Sequence, residues 1–201
     1  MPHVVLLGDS IFDNLRYVQP EPDVLSQLRE LIPAGWKASL RAVDGAVTND
    51  VAKQLSDLPC DATHLVLSVG GNDLVGCAGD LLRTPVAMSS DAFLLLARVT
   101  GAFESMYRGA LETCLTTGLR LVVCTIYDGN FADKEFQTMA RVAVAAFNDS
   151  ILRLSLEKGL RAIDLRSVCR LAEDYANPIE PSAIGGRKIA RAIWQAISSE
   201  K

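Results

Sequence analysis

A serine hydroxyl, a carboxamide and several glycines recur in this chain at places where they could act together. Ser10 closes the segment Gly8-Asp9-Ser10, Gly45 follows Asp44, and Gly70-Gly71-Asn72-Asp73 forms a third short polar cluster. A serine hydroxyl attacks a carbonyl carbon once a base takes its proton, and the oxyanion that results needs N–H donors aimed at it. Glycine allows close backbone approach, and asparagine adds a side-chain donor. Taken singly the clusters are commonplace: a serine after a strand usually caps a helix, and Gly-Gly-Asn-Asp usually makes a turn. Their weight lies in their placement, because each directly follows an apolar run.

Those runs define the elements that must position the clusters. Residues 4–7, 65–69 and 119–126 are predominantly apolar without alternation, broken only by Ser68, Arg120 and Thr125, the pattern of strands covered on both faces. Weaker runs at 38–43 and 160–165 complete a set of five. Between them, Phe93, Leu96, Phe103, Tyr107, Ala110 and Cys114 recur at helical spacing from the capping pair Ser90-Asp91 to Gly118. Met139, Val142, Ala143, Ala146, Phe147, Ile151 and Leu154 make a second stripe that stops at Gly159, and a last helix after Ser182 carries Ile189, Ile193, Ala196 and Ile197. All of these stripes read as core.

Strands alternating with helices imply right-handed βαβ units and a parallel sheet. The expected fold is α/β: three layers, α/β/α, around a five-stranded parallel sheet in flavodoxin-like order, as one domain over residues 1–201. In such sheets ligands bind beyond the carboxyl ends of the strands. The three clusters fall there, with a fourth at Thr125-Ile126-Tyr127-Asp128. Segments 74–88 and 127–136 read as pocket-lining loops, and Val75, Leu81, Leu82, Tyr127 and Phe131 within them suit an apolar acyl or aromatic group.

With these blocks in place, the chain resembles the GDSL or SGNH hydrolases over nearly its whole length. The resemblance implies an ester hydrolase with the flavodoxin-like sheet. It makes Ser10 the nucleophile, Gly45 and Asn72 oxyanion donors alongside the Ser10 N–H, and Asp9 and Asp73 supporting residues. The family's last block is Asp-x-x-His-Pro, whose histidine is the base. Here the corresponding stretch begins Asn177-Pro178-Ile179-Glu180-Pro181, so Asn177 stands where the aspartate belongs and Glu180 where the histidine belongs. His3 and His64 begin strands whose far ends carry the site, some 15–20 Å away; they read as surface or capping histidines. Glu180 can serve as general base or can cap the final helix. The helix dipole would depress its pKa and burial would raise it. A neutral Asn177 avoids repulsion with a nearby glutamate.

Composition bounds the other classes. A net charge of −4 argues against nucleic-acid binding, and Arg161, Arg166, Arg170, Arg187, Lys188 and Arg191 read as solvated helix faces and ends. The five cysteines have no metal-ligand spacing and read as buried reduced thiols. No apolar run reaches the ~18 residues of a membrane span, and the first residues enter a strand directly, so a cytoplasmic protein without membrane partner is expected. The expected partner is a small-molecule acyl ester, with no cofactor and no metal. Two other readings compete: a catalytically silent family member binding an acylated or sugar-like ligand or a protein, and a divalent-cation site built from Asp9, Asp13, Asp73 and Glu180, which has no recognised ligand pattern.

Overall fold

The computed structural model describes residues 1–199 and contains a five-stranded, all-parallel sheet in the order β2-β1-β3-β4-β5. The strands are β1 (His3–Gly8), β2 (Lys37–Leu40), β3 (His64–Ser68), β4 (Arg120–Cys124) and β5 (Arg161–Ile163). Side chains alternate across a strand, and β1 is buried on both faces. Val4 and Leu6 point into one core with α2 (Val24–Leu31) and α8 (Ala183–Ser198). Val5 and Leu7 point into the other, with α5 (Ser89–Thr116) and α6 (Lys134–Glu157). This is the expected α/β/α arrangement. Short helices complete it: α1 (Leu15–Val18), α3 (Val51–Leu55) and α7 (Leu165–Val168).

The simple alternation of one helix per crossover does not hold. Between β3 and β4 the chain forms a further helix, α4 (Gly71–Arg83), where a loop over 74–88 is expected from the sequence. Gly76 and Gly79 lower its intrinsic helicity and mask its periodicity. No residue of α4 is buried; its apolar side faces a cleft and not the sheet. The same cleft accounts for most of a second departure. Phe93 is 73% exposed and Val142 58%, with Met139 also exposed and Leu96 only half-buried, although all four lie on stripes assigned to the core. Leu96, Met139 and Val142 line the cleft, so the apolar stripe that packs on strands farther along becomes cleft wall here, while Phe93 is exposed outside it. β2 is also shorter than the 38–43 run, ending at Leu40.

Among the cysteines, Cys114, Cys124 and Cys169 are buried, but Cys60 is exposed and Cys77 half-buried, because both lie outside the packed faces of the sheet. His3 and His64 are buried rather than surface residues: His3 sits between Asp61 and Ser39, and His64 contacts Trp36. Both remain at the amino ends of their strands. No helix among the described residues is long and apolar enough to cross a membrane.

Candidate active site

The carboxyl end of β1 is where the chain leaves the sheet to present Ser10. Gly8 takes φ +125°, and a Cβ there would lie 1.7 Å from the Ser68 carbonyl oxygen, so only glycine lets β1 and β3 approach this closely. On the other edge β2 has already ended at Leu40, and the amide of Gln54 on α3 takes its place beside Gly8. Gln54 accepts the Gly8 N–H and donates to the Gly8 carbonyl, each at 2.8 Å. Asn148 on α6 does the same for Ile126 beyond β4, at 2.8 and 2.7 Å. Two buried amides thus fix the two strand ends that flank the site.

Ser10 and Glu180, 170 residues apart in the chain, meet: the Ser10 hydroxyl donates to Glu180 Oε1 at 3.0 Å. Both are buried, Ser10 7% exposed and Glu180 4%. Glu180 Oε2 has no hydrogen-bond partner. Burial therefore outweighs everything else that acts on this carboxyl and lifts it from its ordinary 4.5 to about 7. The capping alternative is not what the geometry shows, since the Ser182 hydroxyl accepts the Gly185 N–H at the start of α8.

Three side chains hold the Glu180 segment in place. Asn177 Oδ1 accepts the N–H groups of Ile179 and Glu180, each at 3.0 Å, shaping the turn without touching the carboxyl itself. Tyr127 donates to the Ile179 carbonyl at 2.6 Å. The fully buried Asn14 donates to the Pro181 carbonyl at 3.3 Å and accepts the Val24 N–H at 3.0 Å, linking the stretch after Ser10 to the stretch after Glu180. Sequence reasoning missed Asn14, Gln54 and Asn148. A buried amide in a loop or on a helix gives no spacing signal, since its partners are backbone groups brought near by the fold.

Asn72 lies in the first turn of α4 and donates one amide hydrogen to the Ala46 carbonyl at 3.0 Å, leaving the other unused. Asp73 accepts the N–H and hydroxyl of Thr48 at 3.0 and 2.9 Å, joining α4 to the turn beyond β2. Gly45 lies in that turn, beside Ala46, and is not among the residues lining the cleft. Asp9 is buried, accepts the Ile11 N–H at 3.1 Å, and is pushed up to about 8 by burial, with the charges of Glu180 and Asp73 adding to the effect. Asp13 accepts the Asp44 N–H instead of joining the other carboxylates. Among the described residues no three His, Cys, Asp or Glu side chains are grouped to hold a metal ion.

Asp9, Ser10, Asn72 and Glu180 all line a cleft of about 460 Å³. Away from them its walls are apolar: Leu74, Val75 and Leu81 from α4, Met139 and Val142 from α6, and Phe131 between β4 and α6. A hydrogen-bonded hydroxyl–carboxyl pair thus opens onto an apolar trough.

No curated protein matches the sequence. Solved structures share the fold at low identity. A lipase from a goat rumen metagenome superposes with a TM-score of 0.75 at 17% identity, covering 98% of this chain and 97% of that one. An extracellular lipase from Streptomyces rimosus gives 0.70 at 16%, covering 98% and 100%. An acetylxylan esterase from Geobacillus stearothermophilus gives 0.66 at 17%, covering 98% and 94%. At such identities the likeness concerns the sheet and its helices. A sequence model spans more: that of the GDSL-like lipase/acylhydrolase family matches residues 6–187, a stretch that begins in β1 and runs past Glu180 into α8. On that match the chain belongs to the GDSL-like lipase/acylhydrolase family, a family of ester hydrolases.

Proposed function

We propose that the protein is a serine ester hydrolase in which Glu180, not a histidine, is the general base for Ser10, and that its substrates carry an extended apolar acyl group. The observation that carries this reading is the 3.0 Å hydrogen bond from Ser10 to a buried carboxyl at the mouth of an apolar cleft. An ordinary glutamate is about two pKa units too weak to replace histidine. With Glu180 lifted to about 7, that difference disappears.

In the first step Ser10 Oγ bonds to the acyl carbon as its proton passes to Glu180 Oε1. The carbonyl oxygen becomes an oxyanion, for which the Ser10 N–H and the second Asn72 amide hydrogen are the donors. The Ser10 N–H makes no hydrogen bond among the described residues. Collapse breaks the ester C–O bond, and the departing alcohol takes the proton from Glu180. Water then repeats the sequence: it loses a proton to Glu180, attacks the acyl-serine and releases the acid, and the proton returns to Ser10. The trough between α4 and α6 receives the acyl chain.

The test is hydrolysis of an aryl ester series of increasing acyl length by wild type and Ser10→Ala. Each methylene buried in the trough is worth about 0.8 kcal/mol, so kcat/KM should rise up to about fourfold per added carbon until the cleft is filled. Ser10→Ala should lose turnover throughout and escape labelling by a fluorophosphonate. Equal rates for the two proteins overturn the assignment of Ser10; a series that peaks at acetate overturns the acyl preference alone.

A further inference from the structure

A second cavity of about 310 Å³ adjoins the cleft and shares only Asp128, Gly129 and Phe131 with it. Its walls are polar where the cleft's are apolar. Arg141 of α6, Arg166 of α7 and Arg170 just beyond α7 all line it, an unusual gathering on a chain of net charge −4. From the sequence Arg166 and Arg170 read as parts of solvated helix ends; Arg170 is exposed and Arg166 half-buried, and both also line this pocket.

The three guanidinium groups differ in what already occupies them. Arg166 is clamped in a bidentate pair with Asp164, Nε to Oδ1 at 2.9 Å and Nη2 to Oδ2 at 2.7 Å, and Thr125 steadies that carboxylate with a further hydrogen bond at 2.9 Å. Its head is therefore fixed, while Nη1 makes no hydrogen bond among the described residues. Arg141 Nε lies 3.3 Å from Asp128. Arg170 has its backbone N–H anchored on Asp174 at 2.9 Å, yet its side chain has no carboxylate partner among the described residues. Three cations face two carboxylates, so one positive charge is uncompensated.

The wall between the two cavities is rigid. Gln137 accepts the Phe131 N–H at 2.7 Å and donates to the Asp128 carbonyl at 3.0 Å, and the Asn130 N–H donates to Pro178 at 2.8 Å. Gly129 takes φ +72°, and a Cβ there would lie 2.9 Å from both the Phe131 ring and the Pro178 carbonyl oxygen. The partition is braced to α6 on one side and to the Glu180 segment on the other, so pocket and catalytic pair hold a constant relation.

We propose that this pocket is an oxyanion subsite that binds a phosphate group through Arg170, Arg141 and the free edge of Arg166, next to the acyl cleft. Guanidinium groups converging from separate elements suit a tetrahedral group with three exposed oxygens better than a planar carboxylate, and their forked N–H geometry fits phosphate. The phosphate has two chemical sources: the alcohol part of the ester whose acyl chain fills the cleft, or a separate anion. The subsite does not depend on Ser10 being a nucleophile, so the two assignments fail independently.

The test is titration calorimetry on the full chain carrying Ser10→Ala, with and without Arg170→Ala, Arg170→Glu or Arg141→Ala. The probes are inorganic phosphate, an octanoyl monoester of glycerol phosphate, and the uncharged octanoyl monoester of glycerol. Loss of one charged hydrogen-bond partner should weaken the phosphate-bearing probes by about tenfold or more, Arg170→Glu most of all, and leave the uncharged ester unchanged. Competition between inorganic phosphate and the phosphorylated ester assigns the subsite to the substrate, while simultaneous binding assigns it to a separate anion. Phosphate probes whose affinities are the same in all four proteins, or too weak to detect in all of them, overturn the proposal.

Discussion

Replacing Glu180 by glutamine separates the two consequences of burying a carboxyl beside Ser10. Glutamine keeps the shape and can still accept the Ser10 hydroxyl hydrogen through its carbonyl oxygen, but it takes no proton at neutral pH. Burial lifts Glu180 from 4.5 to about 7. An acid held above its unfolded value binds more protons in the folded protein than in the unfolded chain between those two pH values. Stability is therefore greatest below the unfolded value and falls as pH rises toward 7. A shift of this size corresponds to roughly 3 kcal/mol, which wild type loses in full above neutrality and Glu180→Gln does not. Urea unfolding should show the variant more stable than wild type by roughly that amount at pH 8 and nearly level with it at pH 4. In the same variant kcat should drop by about 10²–10⁴-fold, the usual worth of a general base. Wild-type kcat/KM should rise with pH through neutrality to a maximum between about pH 7 and 8, and at pH 6 stand several-fold below that maximum. A stability gap that is the same at both pH values, or a wild-type profile already flat at pH 6, refutes the reasoning.

Further outcomes follow from the neighbouring groups. Asp9, lifted to about 8, is neutral at pH 7 and ionises above that beside Glu180, so wild-type kcat/KM should fall at higher pH; Asp9→Asn should keep the rising limb and lose the falling one. A falling limb that persists in Asp9→Asn counts against this. Asn72→Ala should lower kcat by about 10²–10³-fold with KM little changed, read by steady-state kinetics, because its donor serves the oxyanion and not the bound ester. Gly8→Ala forces a Cβ to within 1.7 Å of the Ser68 carbonyl oxygen in a left-handed backbone. It should lower Tm by more than about 10 °C or prevent folding, as followed by circular dichroism during heating.

Much of this architecture is written in local patterns. Residues such as Val4, Leu6, Leu65 and Leu67 lie in unbroken apolar runs because both faces of the sheet are covered, and the polar residues that end those runs mark the working edge. What escaped was information held between distant segments. Asn14, Gln54 and Asn148 act through backbone groups that only the folded chain brings within reach. The helix Gly71–Arg83 was hidden by two glycines, and its apolar side was legible as apolar but not as the wall of a cleft. Phe93 and Val142 show the same limit: a helical stripe identifies a face, while what covers that face is set by the fold. Arg166 and Arg170 resemble ordinary surface charges until Arg141 is set opposite them by a different helix.

The replacement of the usual Asp-x-x-His by Asn177 and Glu180 makes physical sense as a unit. A histidine base becomes a cation when it takes the serine proton, and a neighbouring aspartate stabilises that charge. A glutamate becomes neutral, so a second carboxylate there would only oppose the ionised resting state. Asn177 instead spends its carbonyl oxygen on the N–H groups of Ile179 and Glu180, building the turn without adding charge. The remaining requirement is a base of neutral pKa, and here the loop's burial supplies what the residue type lacks. Asn14 and Tyr127 hold the segment against the Ser10 side of the site, where few solvent contacts remain and Oε2 has no partner to stabilise its charge. Opening that packing would lower the Glu180 pKa and so weaken the proposed base even with Ser10 and Glu180 both intact; on the proposed mechanism the positioning residues matter as much as the pair itself.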